Sequence, residues 1–143
     1  TTGDMGKGEC AGEVVSAVEF DLAESERLVF EAQLQLDEGQ YEESYRTAFD
    51  AMLRAAATLV RTQSRDFSGD RDAIVDEFRK RFYDTKLFHD PYAGGKFAQY
   101  FLRAHTEEIA TRTHDTVRTR VEEAQLFIEA AYGCHGRLDA QEA

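Results

Sequence analysis

The stretch YEESYRTAFDAMLRAAATLVRTQ, residues 41–63, decides the fold of this chain. Its apolar side chains recur at steps of three and four residues, which is the spacing of one face of an α-helix. These positions are Tyr45, Phe49 (or Ala48), Met52, Ala56, Leu59 and Val60. The pattern predicts a helix from Tyr41 to about Gln63. Because the segment AMLRAAATLV is rich in alanine, a neighbouring helix can approach this one closely.

Two segments on either side of this stretch carry the same spacing. In DLAESERLVFEAQLQLDEG, Asp21 is a candidate N-cap and Gly39 a candidate stop. The periodic positions there are Leu22, Arg27, Val29, Ala32 and Leu36, with Leu28 and Leu34 widening the stripe. A third helix follows SRDFSGD, where Ser68 or Asp70 can cap it. Its inner face is predicted to hold Ile74, Val75, Phe78 and Phe82.

The last third of the chain predicts two more helices. The fourth runs from about Ala93 to His105 or a little beyond, with Phe97, Tyr100, Phe101 and Ala104 as its apolar positions. The fifth restarts at THDTV and reaches about His135, with Val117, Val121, Ala124, Phe127 (or Ile128) and Ala131 facing inward. No segment alternates as a strand would. The sequence therefore predicts an all-α antiparallel bundle of four or five helices with short connections.

The length of 143 residues fits one domain. Residues 1–20 contain four glycines and no sustained period, so we interpret them as a flexible tail or linker. Residues 21–138 then form the helical bundle domain, and residues 139–143 form a short C-terminal tail.

The charge of the chain is unevenly distributed. Residues 1–45 hold twelve acidic and two basic residues, whereas the rest of the chain is almost neutral within a net charge of −11. Because phosphate binding depends on clustered Lys and Arg, this distribution disfavours a nucleic-acid partner. No run of 18 apolar residues is present, so no membrane span is predicted. Cys10 and Cys134 are too few for a disulfide framework, which favours a cytoplasmic protein with free thiols.

The segment FYDTKLFHDPYAGGKFAQYF, residues 82–101, is the main candidate for a binding site. Its Gly-Gly-Lys is not a phosphate loop of the Gly-x4-Gly-Lys-Ser/Thr type, because Phe97 follows Lys96 and no strand precedes it. We expect an aromatic corner between helices, shaped by Pro91 and two glycines. The alternative is a pocket for a flat, anionic ligand or for a peptide. Its candidate binding residues are Arg54, Tyr83, Phe88, Tyr92, Lys96, Phe97 and Arg103.

Catalytic and metal-binding signatures are absent from the sequence. No histidine has a glutamate three residues before it, so the Glu-x-x-His pattern of di-iron bundles is missing. No hydrolase motif occurs either. We therefore predict neither catalytic nor metal-ligating residues, and no cofactor, in this chain.

The order of these segments resembles the HEPN superfamily of α-helical bundles. The resemblance covers about residues 22–137 and is carried by YEESYRTAFDAMLRAAATLV, IVDEFRKRF and EEAQLFIEAA. It implies a module that binds a partner, binds a nucleotide or forms a homodimer. Many members are ribonucleases with an Arg-x4–6-His motif, which this chain lacks. An RNase-type toxin would need another pair across a dimer, such as Arg103 with His105 or Arg112 with His114.

A narrower resemblance concerns the segments MGKGECAGE, ESERLVFEAQLQLDEGQYEES and RFYDTKLFHDPYAGGKFAQYFLRAHTEE. Together they resemble a C-terminal extension of some bacterial nitrite/sulfite reductases of the sirohaem and 4Fe-4S type. This resemblance implies a non-catalytic accessory domain, with the parent reductase domain as partner. Sirohaem and the cluster would belong to the parent enzyme alone, because a cubane cluster needs four Cys thiolates and this chain has two.

Overall fold

The computed structural model describes the backbone of residues 2–107 and 112–142 and the side chains of residues 17–107 and 112–138. Within these ranges the chain is all-helical, with five α-helices, one π-helical turn and no strand. The elements are α1 (Thr2–Asp37), α2 (Tyr41–Gln63), α3 (Arg71–Phe78), the π-helical turn Arg79–Tyr83, α4 (Lys96–Thr106) and α5 (His114–Glu142). The predicted all-α class is confirmed. No helix in the described part combines the length and apolar character needed to cross a membrane.

Helix α2 begins and ends at the residues that the sequence predicts, and it lies at the centre of the fold. It packs against α1, α3, α4 and α5. Eleven of its 23 residues are buried, including Ala48, Ala51, Ala55 and Ala56. Because alanine ends at Cβ, these positions let α1 and α5 pack close to the α2 backbone.

The turn between α1 and α2 depends on Gly39, as predicted. Gly39 has a φ of 79°, a conformation that glycine adopts without the Cβ penalty of other residues. The Gln40 N–H then donates to the Gln35 carbonyl at 2.8 Å, which satisfies one of the last carbonyls of α1. Beyond the turn, the buried Ser44 hydroxyl donates to the Ala32 carbonyl at 2.6 Å and ties the two helices together.

Helix α1 begins at Thr2, so the prediction that Asp21 caps its start is wrong. Residues 13–37 contain no glycine or proline, and nothing in this segment ends the helix. Asp21 lies inside α1 instead, with its Oδ1 at 3.3 Å from the Arg54 Nη2. The helix also covers most of the predicted tail, although the side chains of residues 1–16, including Cys10, lie outside the described residues. The division into residues 1–20, 21–138 and 139–143 stays a prediction.

Helix α3 is capped by Asp70, one of the two predicted caps. Its Oδ1 accepts a hydrogen bond from the Ala73 N–H at 2.9 Å. The helix passes directly into the π-helical turn, and the buried rings of Phe78 and Phe82 stack with centroids 5.8 Å apart.

Helix α4 begins at Lys96, three residues after the predicted start, because the preceding segment forms a tight turn. The Asp90 Oδ1 accepts hydrogen bonds from the Tyr92 and Ala93 N–H groups, both at 2.8 Å. Gly94 closes the turn with a φ of 63°. These local bonds replace the first helical turn that the sequence pattern suggests.

Helix α5 begins at His114, within the predicted THDTV segment, and extends to Glu142. It therefore passes the predicted end at about His135. The two glycines near that point, Gly133 and Gly136, keep the helical conformation. Glycine lowers helix propensity by about 1 kcal/mol but does not forbid a helix.

Candidate functional site

The aromatic corner is filled by its own side chains. Phe78 lies at its centre, with the rings of Phe88, Phe101 and Phe127 at centroid distances of 5.2, 5.4 and 5.6 Å. Three of these four rings have no exposed surface, and Phe88 is 3% exposed. All three contacts to Phe78 are edge-on, an arrangement that aromatic pairs favour. Phe82, Phe88 and Phe101 of the corner therefore belong to the hydrophobic core, whereas Tyr83, Phe97 and Tyr100 are half-buried and Tyr92 is exposed.

The seven candidate binding residues do not share one pocket. Phe88 and Phe97 line a cavity of about 160 Å³ with His89, Asp90 and Arg137 among its walls. Two more candidates, Tyr83 and Arg103, border a separate shallow depression of about 350 Å³.

The remaining three candidates lie apart from these cavities. Tyr92 is fully exposed and Lys96 is also exposed. Arg54 is on α2, in its ion pair with Asp21. The structure thus brings together two pairs of candidates and not the whole set.

A second group of side chains, which we call the arginine pocket, lies between α2, the start of α3 and the end of α4. Its walls include Tyr45, Phe49, Arg71, His105 and Arg112 around about 270 Å³. The Arg112 guanidinium carbon lies 3.9 Å from the centre of the Tyr45 ring, and that of Arg71 lies 5.1 Å from the Phe49 ring. The imidazole of His105 also stacks on the Phe49 ring. Such a pocket offers planar cations and ring faces to a flat anion.

Carboxylates balance much of the positive charge in the arginine pocket. His105 Nε2 lies 3.0 Å from Asp72 Oδ1, and Arg112 Nε lies 3.0 Å from Glu42 Oε2. Partial burial raises the pKa of the Asp50 carboxyl, although the nearby Arg71 guanidinium opposes the shift. An anionic ligand would therefore compete with acids of the protein itself.

The Arg and His residues of the RNase hypothesis lie at separate places in the single chain, and their pairing across a dimer stays a prediction. His105 and Arg112 line the arginine pocket together. Arg103 lies outside that pocket, with its Nη2 3.7 Å from Glu123 Oε2. The His114 ring packs edge-on against Tyr41.

The third feature is a row of exposed apolar side chains on α1, which we call the α1 stripe. It consists of Phe20, Phe30 and Leu34, which are 63, 66 and 46% exposed. At 100° per residue these three positions fall within an arc of about 80° on one side of the helix. The apolar spacing of the sequence predicts Leu34 on the inner face of the helix and does not single out either phenylalanine. Their shared helical face was the signal that could have revealed the stripe.

A groove between α1 and α5 runs beside the α1 stripe. It has a volume of about 440 Å³, and its lining includes the buried residues Val29, Val121 and Ile128, together with Phe30. Glu26 lies at the groove, and its carboxylate accepts a hydrogen bond from the Tyr132 hydroxyl on α5. Burial is the main cause that raises the pKa of Tyr132 to about 12, and that hydrogen bond is the next largest cause. The groove therefore combines an apolar floor with polar and acidic walls.

Neither a metal site nor a reactive thiol is formed by the described side chains. No group of three or more His, Cys, Asp or Glu residues is placed to hold a metal ion in residues 17–107 and 112–138. Cys134 is buried, and its Sγ donates to the Leu87 carbonyl at 3.4 Å. Burial raises the pKa of the Cys134 thiol to about 11, so it stays protonated at neutral pH.

Comparison with known proteins adds no family to these observations. No family model matches the chain, and no curated protein matches it.

Proposed function

We propose that this chain is a non-catalytic helical accessory domain that binds a protein surface and is appended to a nitrite/sulfite reductase. The observation that carries the proposal is the α1 stripe beside the α1/α5 groove. Large exposed apolar groups next to a groove are typical of protein-binding surfaces. The filled aromatic corner supports the same function, because the space that a flat ligand would need there is largely occupied by Phe78 and its neighbours.

We further propose an antiparallel, HEPN-like arrangement of the helices. Only residues 38–40 separate α1 from α2, and these two helices pack along each other. Two packed helices joined by so short a connection generally run in opposite directions. The reductase as parent protein, the cytoplasm as location and a homodimer as oligomeric state rest on the sequence resemblance and composition alone.

The experiment combines a chemical assay with a binding assay. Purified chain is assayed for bound iron and for sulfite and nitrite reduction, and is then titrated into a purified sirohaem/4Fe-4S reductase core by calorimetry. We expect no iron, no turnover and saturable binding to the core. Bound iron or reduction by the chain alone would refute the non-catalytic role. A lack of binding to cores from several such reductases would refute the proposed attachment.

The arginine pocket favours a second candidate function, the binding of a nucleotide or a similar flat anion. Guanidinium groups over two aromatic rings are the observation that supports it. Thermal unfolding in the presence of ATP or adenosine tests it. A ligand that binds only the folded state raises the melting temperature once its concentration is several times the Kd. Binding should disappear in Arg71→Gln and persist in Arg118→Gln, which changes an exposed arginine on α5.

An RNase-type activity is the least supported alternative, and it has its own test. RNA incubated with the chain should remain intact. Cleavage that is lost in His105→Ala or His114→Ala would replace the accessory function with that of a ribonuclease.

A further inference from the structure

The α1 stripe is bordered by carboxylates on both sides. Residues 19–38 contain seven acidic residues and one basic residue. At about 100° per residue, one group of acids falls on one side of the stripe and a second group on the other. The first group is Glu24 and Glu31, with Glu38 directly after α1 at the end of the stripe, and the second is Glu19, Glu26 and Asp37.

The single basic residue of this face does not change its acidic character. Arg27 lies between Phe20 and Leu34 on the helix surface. Its Nε is 3.1 Å from Glu24 Oε2, and its Nη1 is 3.6 Å from Glu31 Oε2. Arg27 is thus engaged by two acids of its own helix, and the face keeps a net negative charge.

The apolar part of the surface combines a groove with an exposed stripe beside it. Phe30 stands at the side of the α1/α5 groove, whose floor contains Val29, Val121 and Ile128. A large apolar side chain of a partner could enter this groove while its neighbours contact the α1 stripe. Amphipathic helices bind grooves in this way, with anchors spaced by three and four residues.

We propose that the α1 stripe and the α1/α5 groove bind an amphipathic helix of another protein or domain, with apolar anchors on one face and Lys or Arg along its edges. Charge complementarity selects this occupant, because basic edges would meet the acids on both sides of the stripe. A second copy of this chain would bring acidic borders against acidic borders, and like charges oppose such contact. The inference deepens the proposed accessory function and rests on it.

The test uses a defined peptide in place of the unidentified partner. A fluorescent leucine/lysine peptide of about 14 residues, with leucines at helical spacing, is titrated with the chain and followed by fluorescence anisotropy. One control peptide has the same composition in an order that forms no apolar face, and another replaces lysine by glutamate. We expect saturable binding of the first peptide alone, weakening as salt is raised because exposed charges are screened.

Paired variants locate the binding surface. Phe30→Ala should raise the Kd at least about tenfold, as truncation of a central aromatic anchor does. The matched control Tyr92→Ala removes a fully exposed ring elsewhere and should change the Kd less than about twofold. The double variant Glu31→Lys/Glu38→Lys should weaken binding and reduce its salt dependence, whereas Asp66→Lys in the α2–α3 connection should not. Leu34→Ala serves as a second stripe variant, and thermal unfolding checks that each variant is folded.

Several results would overturn the inference. These are equal binding of the ordered and disordered peptides, no binding of the ordered peptide, or the same Kd for Phe30→Ala and the unmodified chain. A dimer in sedimentation that Phe30→Ala converts to a monomer would assign the face to a second copy instead. If the reductase core binds but the peptide does not, this inference fails while the proposed function stands. Reduction or bound iron in the chain alone would remove the proposed function itself.

Discussion

Replacing Phe78 by alanine tests whether the aromatic corner is a packed core. Phe78 has no exposed surface, and four phenylalanine rings surround it at centroid distances of 5.2 to 5.8 Å. Truncation of a buried phenylalanine costs about 3–5 kcal/mol through lost burial and the cavity left behind. The lost ring contacts place Phe78→Ala in the upper part of that range, about 4 kcal/mol. For a chain of this size the melting temperature should fall by about 8–16 °C.

Urea unfolding followed by circular dichroism measures this effect. Phe78→Leu keeps much of the apolar volume and should cost only about 1–2 kcal/mol. Tyr92→Ala, at a fully exposed ring, should stay within about 0.5 kcal/mol of the unmodified chain. A loss below about 1 kcal/mol in Phe78→Ala would contradict the packed corner and reopen it as a ligand pocket.

Three further predictions concern local features. Asp70→Ala removes the hydrogen bond to the Ala73 N–H and should lower the free energy of unfolding by about 1 kcal/mol, whereas Asp66→Ala in the same connection should have little effect in the same urea titration. Gly39→Ala places a Cβ at a φ of 79° and should cost about 1 kcal/mol, with Gly136→Ala in α5 as a neutral or stabilising control; equal effects of the two changes would contradict the role of Gly39. Burial raises the pKa of Cys134 from 9.0 to about 11, so the folded state holds this proton more tightly than the unfolded state. The resulting stability is present below about pH 9 and is lost as pH rises towards 11. In a Cys10→Ser background, Cys134→Ala should flatten this part of the pH–stability curve. Ellman's reagent at pH 8 should react with Cys134 only after unfolding.

The sequence predicts two helix boundaries correctly, the start of α3 at Asp70 and the end of α1 before Gly39. Asp70 and Gly39 act through a single hydrogen-bond acceptor and a single φ angle, so each can be recognised without knowledge of the fold. The α4 start was misplaced because the Asp90 side chain captures the N–H groups of Tyr92 and Ala93 in a turn. That competition between a side chain and a helical turn is decided by geometry that the apolar spacing does not contain.

The candidate site was harder to predict than the fold. An aromatic-rich segment fits equally a packed corner and a ligand pocket, and only the packing of Phe78 between α3, α4 and α5 distinguishes them. The arginine pocket combines residues from α2, α3, α4 and the connection between α4 and α5, so no sequence window contains it. The α1 stripe was in principle visible, but a helix with apolar residues on two faces does not tell which face the core will cover.

The most direct test of the central claim is an NMR chemical-shift map of the isotopically labelled chain during titration with a purified reductase core. We expect the shifted amides to cluster on residues 18–37 of α1 and residues 121–129 of α5. The amide signals of residues 82–101 and of the arginine pocket should keep their positions. Shifts that centre on the aromatic corner or on the arginine pocket, with α1 unchanged, would contradict the assignment of the α1 stripe as the binding surface.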